Sequence, residues 1–208
     1  MSDPDSTDGP ARPSRRSAIR PLDRWAMVLG AAVLVLVVDQ LSKAWALDRL
    51  SDGSAIDVVW TLRFKLAFNT GMAFSRGSGA GPIIGLVALG IVAVLLVIAR
   101  KVESRAQLVV IGVVAGGALG NIVDRLSRVG ATNPFTGEVS SGFMSGAVVD
   151  FIDVQWWPVW NVADMAVVCG GIALAILSAR VPPGSDIGAD LPDPPERPDL
   201  PDKSGSTA

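Results

Sequence analysis

The chain has 208 residues, of which 50% are hydrophobic and only 18% are charged, whereas an ordinary soluble domain carries about 25% charged residues. Length and composition therefore predict a single domain that lies in a membrane. The 18 basic and 20 acidic residues nearly cancel, which argues against a nucleic-acid binder, because such proteins are basic. The chain has no histidine and a single cysteine, Cys169, which excludes histidine-based triads, HExxH zinc sites, intrachain disulfides and cysteine-cluster metal sites.

Two polar segments flank the apolar part of the chain. Residues 1–24 are rich in Pro, Ser, Asp and Arg and show no apolar period, so we predict a disordered tail. Residues 181–208 are rich in Pro and acidic residues and are predicted to form a second disordered tail. The predicted membrane domain is therefore residues 25–180.

Four long apolar segments lie between these tails. A transmembrane helix needs roughly 20 apolar residues, with a range of about 17–25, and each segment is long enough. The segments are Trp25–Leu47, Pro82–Ala99, Ala106–Val123 and Val159–Ala179. The first could instead be a cleaved signal peptide with a cleavage site at Ala44-Trp45-Ala46. Its apolar core runs into Asp39 and Lys43, and three more spans follow, so we predict that it is retained.

Basic residues beside the spans predict their orientation, because cytoplasmic flanks are enriched in Lys and Arg. Five arginines precede the first span, and the loop between the second and third spans contains Arg100, Lys101 and Arg105. We therefore expect both termini to be cytoplasmic and the two long connections, residues 48–81 and 124–158, to lie outside.

The outer connections contain further predicted structure. Ile56–Phe68 is rich in β-branched and aromatic residues in partial alternation, which predicts a short hairpin or small sheet at the membrane surface. Val148–Trp160 contains three tryptophans, which favour the membrane interface. The predicted fold is therefore an all-α polytopic membrane protein with four transmembrane helices and a small extracytoplasmic β-sheet.

Charges within the spans are informative because each costs about 2.5–3.5 kcal/mol at mid-membrane on insertion scales. Asp39 and Lys43 are spaced i, i+4 on one helix face, and we predict that they neutralise each other. Asn121, Asp124 and Arg125 end the third span after a stripe of glycines. Small residues at this spacing favour close helix packing, so this region could be a packing stripe that ends in an ion pair.

Three further acidic residues lie near the outer side of the predicted spans. Asp150 and Asp153 have hydrophobic neighbours, which raise a carboxyl pKa by desolvation, although a surface strand with solvated acids is the alternative. Asn161 and Asp164 could cap the fourth helix. If that helix starts near Val159, Asp164 lies too deep for a cap, so we favour a functional role.

These positions place Asp124, Asp150 and Asp164 on one side of the membrane. Two close carboxylates share one proton and can activate a water while protonating a carbonyl oxygen, which is the chemistry of an aspartyl protease. Intramembrane carboxylates serve equally in a proton-coupled transporter, and a non-catalytic membrane scaffold is a third alternative. Spacing alone does not choose among these functions or show which two aspartates pair.

Five segments resemble, in order, the signature blocks of bacterial lipoprotein signal peptidase (signal peptidase II), a family of membrane aspartyl proteases. They are Asp39–Lys43, Phe68–Phe74, Gly116–Arg125, Val148–Ile152 and Asn161–Asp164. The resemblance covers residues 24–180. It implies an endopeptidase that removes the signal peptide from diacylglyceryl-modified prolipoproteins by cutting before the lipidated cysteine.

The resemblance also implies roles for individual residues. Asp150 and Asp164 would be the catalytic dyad, and Asp124 would have a supporting role. Asp39 and Lys43 match a block that is mainly structural. The residues expected to line the site or hold the substrate are Asn69, Asn121, Arg125 and Asn161. We expect no metal and no cofactor, a monomer in a bacterial cell membrane, a site near its outer face, and prolipoproteins and membrane lipid as partners.

Two features depart from the family pattern. The stretch between Arg125 and Asp150 is longer than usual and rich in Gly, Ser and Thr, which predicts a surface insertion at residues 126–147. The spacing between Asp150 and Asp164 is shorter than in many members.

Overall fold

The structure is a computed structural model that describes residues 19–71 and 80–179. Within these residues the elements are α1 (Pro21–Leu50), β1 (Ala55–Val59), β2 (Leu62–Asn69), α2 (Gly81–Ala99), α3 (Arg105–Ser127), β3 (Val148–Asp153) and α4 (Val162–Ala179). All four helices are long and apolar enough to cross a membrane, which confirms the predicted four-span fold. Most of both predicted tails, and Met72–Phe74 of the second signature block, lie outside the described residues.

Several helix boundaries differ from the predicted spans. Helix α1 continues to Leu50, and α3 continues to Ser127, past Asp124 and Arg125. Helix α1 begins at Pro21 rather than Trp25, because proline suits the first turn of a helix, where its missing N–H is not needed. Residues 21–24 therefore belong to the membrane domain and not to the tail. Helix α4 begins at Val162 rather than Val159, since Asn161 caps it, as described below.

Arg24 joins the first turn of α1 to the end of α2. Its Nη1 donates hydrogen bonds of 2.7–2.8 Å to the carbonyl oxygens of Ala99, Arg100 and Val102. The last carbonyls of a helix have no partner within the helix, and a cation there also interacts favourably with the helix dipole. Arg24 thus satisfies the carbonyl end of α2 and fixes it against α1.

Helix α3 contacts all three other helices. An added Cβ at Gly112 would meet the backbone oxygen of Val28 on α1, and one at Gly116 would meet that of Ala32. On another side of α3, a Cβ at Gly117 would lie 2.6 Å from the Ala163 carbonyl of α4. The predicted glycine stripe therefore packs against neighbouring helices, as small residues do in membranes.

The three strands form one antiparallel sheet in the order β1-β2-β3. Strands β1 and β2 confirm the predicted hairpin. In the register of β2 and β3, Ala67 faces Asp150 and Asn69 faces Val148. A small apolar core that includes Leu50 and Val149 holds the sheet to the end of α1. This packing brings Asp150 to the ends of α1, α3 and α4.

The residues between α3 and β3 form a long loop. Its chain returns on itself, with a two-residue bridge between Thr132 and Val139. Phe135, at the turn, packs against Phe68 of β2 with ring centroids 5.9 Å apart. The predicted insertion therefore folds back onto the sheet.

Tight packing of α3 gives a testable difference between two glycines. Gly116→Ala should lower the melting temperature of the purified protein in detergent, because overpacking typically costs about 1–3 kcal/mol. Gly90→Ala, in α2, is the matched control, since nothing lies within 4 Å of an added Cβ there, and alanine favours helix. Equal melting temperatures for the two variants would contradict the packing described.

Candidate active site

Asn161 joins the two predicted dyad carboxyls. Its side-chain Nδ2 donates a hydrogen bond of 2.6 Å to Oδ1 of Asp150. Its backbone N–H donates to Oδ2 of Asp164 at 3.3 Å, and the Asp164 N–H donates to Asn161 Oδ1 at 2.9 Å. This reciprocal pair is a capping box at the start of α4. Our prediction that Asp164 lies too deep to take part in a cap is therefore wrong, because the helix begins at Val162.

The two acids of β3 have different surroundings. Asp150 is 3% exposed, so the alternative of solvated acids on a surface strand is wrong. Asp153, also buried, forms an ion pair of 2.8 Å with Arg63 across the sheet. The structure thus brings Asp150 together with Asn161 and keeps Asp153 in a separate pair.

Lys43 lies at the centre of a buried polar cluster. Its Nζ is 2.8 Å from Oδ2 of Asp39, which confirms the predicted i, i+4 pair. The same Nζ is 2.8 Å from Oδ2 of Asp124 and donates to Oδ1 of Asn121 at 3.0 Å. The ammonium group has three N–H donors, and each of them has an acceptor. Two carboxylates and one ammonium are therefore buried together.

The cluster also holds the backbone of two neighbouring elements. Asp39 Oδ1 accepts a hydrogen bond of 2.9 Å from the Ala163 N–H in the first turn of α4. Asp124 Oδ2 accepts one of 3.2 Å from the Val149 N–H of β3. The two acids therefore fix the elements that carry Asp164 and Asp150.

Sequence reasoning did not single out two members of this cluster. Gln40 Nε2 donates to Asp39 Oδ2 at 3.1 Å and to the Gly120 carbonyl at 3.2 Å. Arg128 Nε lies 3.3 Å from Asp124 Oδ1. The i, i+4 spacing of Asp124 and Arg128 was the available signal. Within the described residues Asp124 pairs with Lys43 and Arg128, and Arg125 takes no part in an ion pair.

Asn121 links the Lys43 cluster to the dyad carboxyls. Its Oδ1 accepts from Lys43 and, at 3.1 Å, from Asn161 Nδ2. Its Nδ2 donates a hydrogen bond of 2.8 Å to Oδ1 of Asp164. Because the amide oxygen faces two donors, the amide nitrogen is directed at the carboxylate.

Arg125 and Asn69 complete the polar surroundings. Arg125 is 4% exposed, and its Nη1 has no hydrogen-bond partner among the described residues. Asn69 ends β2, its Oδ1 accepts a hydrogen bond of 2.9 Å from the Gly71 N–H, and its side chain lines the cavity. An unpaired buried guanidinium donor is costly, so Arg125 is a donor that a bound molecule could satisfy.

A cavity of about 350 Å³ opens between α2, α3 and α4. Its polar end is formed by Asn69, Asn121, Arg125 and Asp164. Its other walls are apolar and include Ile84, Ile91, Val114, Ala118 and Val167. Among residues 19–71 and 80–179, no group of three or more acidic or cysteine side chains could hold a metal ion.

The pKa of Asp150 is raised from its ordinary value of 3.8 to about 7. Burial is the largest cause, and the negative charge of Asp164 is the second. The hydrogen bond from Asn161 and the side-chain amide of Asn69 partly oppose the shift in the pKa. Asp150 therefore keeps its proton up to near-neutral pH while it lies beside a second carboxyl, an arrangement that suits acid–base chemistry.

The model of the family described as signal peptidase II matches residues 31–180 of this chain. The chain belongs to the signal peptidase II family. This membership confirms the resemblance drawn from the five signature blocks, and the four apolar helices agree with a multi-pass membrane enzyme of this family. The aspartic-type protease predicted from the sequence is supported by the same membership.

The chain is also similar to individual proteins named lipoprotein signal peptidase. The lipoprotein signal peptidase of Mycobacterium tuberculosis is 36% identical over 174 residues, which are 83% of this chain and 81% of the relative. That of Rhodococcus jostii is 38% identical over 148 residues, or 71% and 69% of the two chains. A solved bacterial membrane enzyme matches with a TM-score of 0.56 and 25% identity, over 74% of this chain and 88% of the other.

Removal of the buried ammonium should destabilise the protein. Lys43→Met leaves Asp39 and Asp124 buried without their cation, and breaking a buried ion pair in this way costs about 3–5 kcal/mol. The melting temperature in detergent should fall well below that of Lys65→Met, a matched change at an exposed position of β2. Similar values for the two variants would show that the cluster does not stabilise the fold.

Proposed function

We propose that this signal peptidase II family member removes the signal peptide from lipid-modified prolipoproteins by hydrolysing the bond before the lipidated cysteine. Asp150 and Asp164 are the catalytic residues. The observation that carries the proposal is the bridge through Asn161. It holds the buried carboxyl of Asp150 beside the half-buried carboxyl of Asp164, which lines the cavity.

In the proposed reaction the two carboxyls share one proton, held mainly on Asp150. Asp164, which lines the cavity, is ionised and takes a proton from water as the water attacks the scissile carbonyl carbon. Asp150 gives its proton to the carbonyl oxygen, and a neutral tetrahedral intermediate forms. Asp164 then gives its proton to the amide nitrogen while Asp150 takes one from a hydroxyl of the intermediate. The carbon–nitrogen bond breaks to give an amine and a carboxylic acid, and the dyad again holds one proton.

The cavity supports this substrate class because its two ends differ. The apolar walls from α2, α3 and α4 suit acyl chains and the apolar part of a signal peptide, both of which reach the site sideways through the bilayer. The unpaired Nη1 of Arg125 suits a peptide carbonyl, and it lies beside Asn69 and Asn121 at the polar end. The substrate therefore supplies the acceptor that Arg125 lacks.

We further propose that the enzyme works as a monomer with both termini in the cytoplasm and the site near the outer face. The basic residues Arg24, Arg100, Lys101 and Arg105 lie at one end of the bundle. The sheet and the dyad lie at the other end, which fits the tendency of Lys and Arg to remain cytoplasmic. One chain supplies both carboxyls and the cavity, so the chemistry requires no second copy.

Amide substitutions test the dyad. Asp150→Asn and Asp164→Asn should each reduce cleavage of a diacylated precursor peptide to background, because neither leaves a pair that can both hold and accept a proton. The variants keep the shape of the side chains and should remain in the membrane fraction.

Asp153→Asn is the matched control for these variants. Asp153 lies on the same strand as Asp150 but pairs with Arg63, so its loss should leave most of the activity. Normal cleavage by either dyad variant, or equal loss in all three, would contradict the proposed roles.

The raised pKa of Asp150 predicts an alkaline limit to activity. As the pH rises through about 7, Asp150 ionises in the free enzyme and the dyad loses its proton, so kcat/KM should fall with a one-proton slope. The free energy of unfolding should also fall with rising pH. A carboxyl whose pKa is raised in the folded state stabilises the fold at low pH, and this contribution is lost as the pH rises from 3.8 through about 7. Constant kcat/KM far above this pH would contradict the shared proton, and Asp153→Asn should leave the profile unchanged.

A further inference from the structure

A second and larger cavity, which we call the loop cleft, lies beside the sheet. It has a volume of about 780 Å³, within the range of about 300–1,000 Å³ that is usual for ligand sites. The loop between α3 and β3 forms one wall, with Thr132, Ser141 and Phe143 among its residues. The other wall includes Phe68 and Thr70, from the end of β2 and the turn after it.

The loop cleft begins where the active-site cavity ends. Thr70 and Gly81 line the cleft, whereas Asn69, Gly71 and Gly85 line the active-site cavity. Arg125 and the buried Met144 lie between the two spaces. An added Cβ at Gly81 would meet the Met144 carbonyl oxygen at 3.0 Å and Arg125 Nη1 at 3.1 Å. The two spaces are therefore neighbours, separated by Arg125, Met144 and Gly81.

The lining of the cleft is mixed and has a larger polar share than the active-site cavity. Its large apolar residues are Leu47, Phe68, Pro82, Pro134, Val139 and Phe143. Its polar uncharged residues are Thr70, Thr132, Asn133, Ser140, Ser141 and Ser145. The two charged residues, Arg128 and Glu138, are opposite in sign. Ser141 forms no hydrogen bond within the described part of the chain, so its groups can bond a peptide backbone. Because the active-site cavity is the more apolar of the two, the polar groups of the cleft favour an extended, uncharged peptide segment there and leave the acyl chains to the active-site cavity.

We propose that the loop cleft binds the segment of the precursor on the mature side of the cleavage site, a run of small uncharged polar residues. This inference rests on the proposed function, because that function supplies a chain on both sides of the scissile bond. In the proposed function the signal peptide and the lipid bind in the apolar cavity between α2, α3 and α4. The mature side continues into water and passes the outer loop.

Two diacylated precursor peptides with the same signal sequence test the inference. One ends shortly after the lipidated cysteine, and the other continues with several serine, glycine and asparagine residues. The wild-type enzyme should cleave the longer peptide with a KM lower by about fivefold, the size expected from one net hydrogen bond. The kcat for the two peptides should be similar.

Ser141→Trp places a large side chain in the cleft and should raise KM for the longer peptide to that of the shorter one. Cleavage of the shorter peptide should not change, which also shows that the variant is folded. Val129→Trp, at an exposed position of the same loop that does not line the cleft, should keep the preference.

The outcomes separate the two proposals. Equal KM values for both peptides with wild-type enzyme would overturn the role of the cleft and leave the proposed function intact. An equal effect of Ser141→Trp on both peptides would also overturn it, because the cleft would then serve the signal sequence or the lipid. Cleavage of neither peptide by the wild type would contradict the proposed function, and the inference with it.

Discussion

The buried ammonium of Lys43 is the interaction on which the rest of the site depends. It joins Asp39 of its own helix to Asp124 and Asn121 of α3. Asp39 then holds the first turn of α4, and Asp124 holds the backbone of β3. Charges in an apolar environment are stable only when paired and hydrogen-bonded. The contacts that neutralise these charges therefore also fix the relative positions of three helices and a strand.

Asn161 connects this framework to the two carboxyls. It caps α4 together with Asp164 and also reaches Asp150 on the sheet, so one side chain holds a helix start and a strand at hydrogen-bond distance. A capping residue usually stabilises only the start of its own helix. Here it also sets the separation of two carboxyls, and their proximity and burial raise the pKa of Asp150. Fold and reactivity are thus determined by the same hydrogen bonds.

Much of this arrangement could be predicted from the sequence, because local patterns determine it. Apolar length predicted the helices, alternation predicted the hairpin, and spacing predicted the pair of Asp39 and Lys43. The contacts of Lys43 with α3 could not be predicted, since they join residues about eighty positions apart. The predicted start of α4 is wrong because the apolar span taken from the sequence begins at Val159, two residues before the cap at Asn161. The choice of Asp150 and Asp164 came from resemblance to a family, and spacing alone left it open.

The central claim is that the resting enzyme holds one proton on this pair of carboxyls. Infrared difference spectroscopy of the ligand-free protein, with carbon-13 in its aspartates, measures this most directly through the C=O stretch of a protonated carboxyl. The account predicts a protonated aspartate in the wild type that disappears as the pH rises through about 7 and is absent from Asp150→Asn. A spectrum without that band below this pH, or an unchanged band in Asp150→Asn, would contradict it.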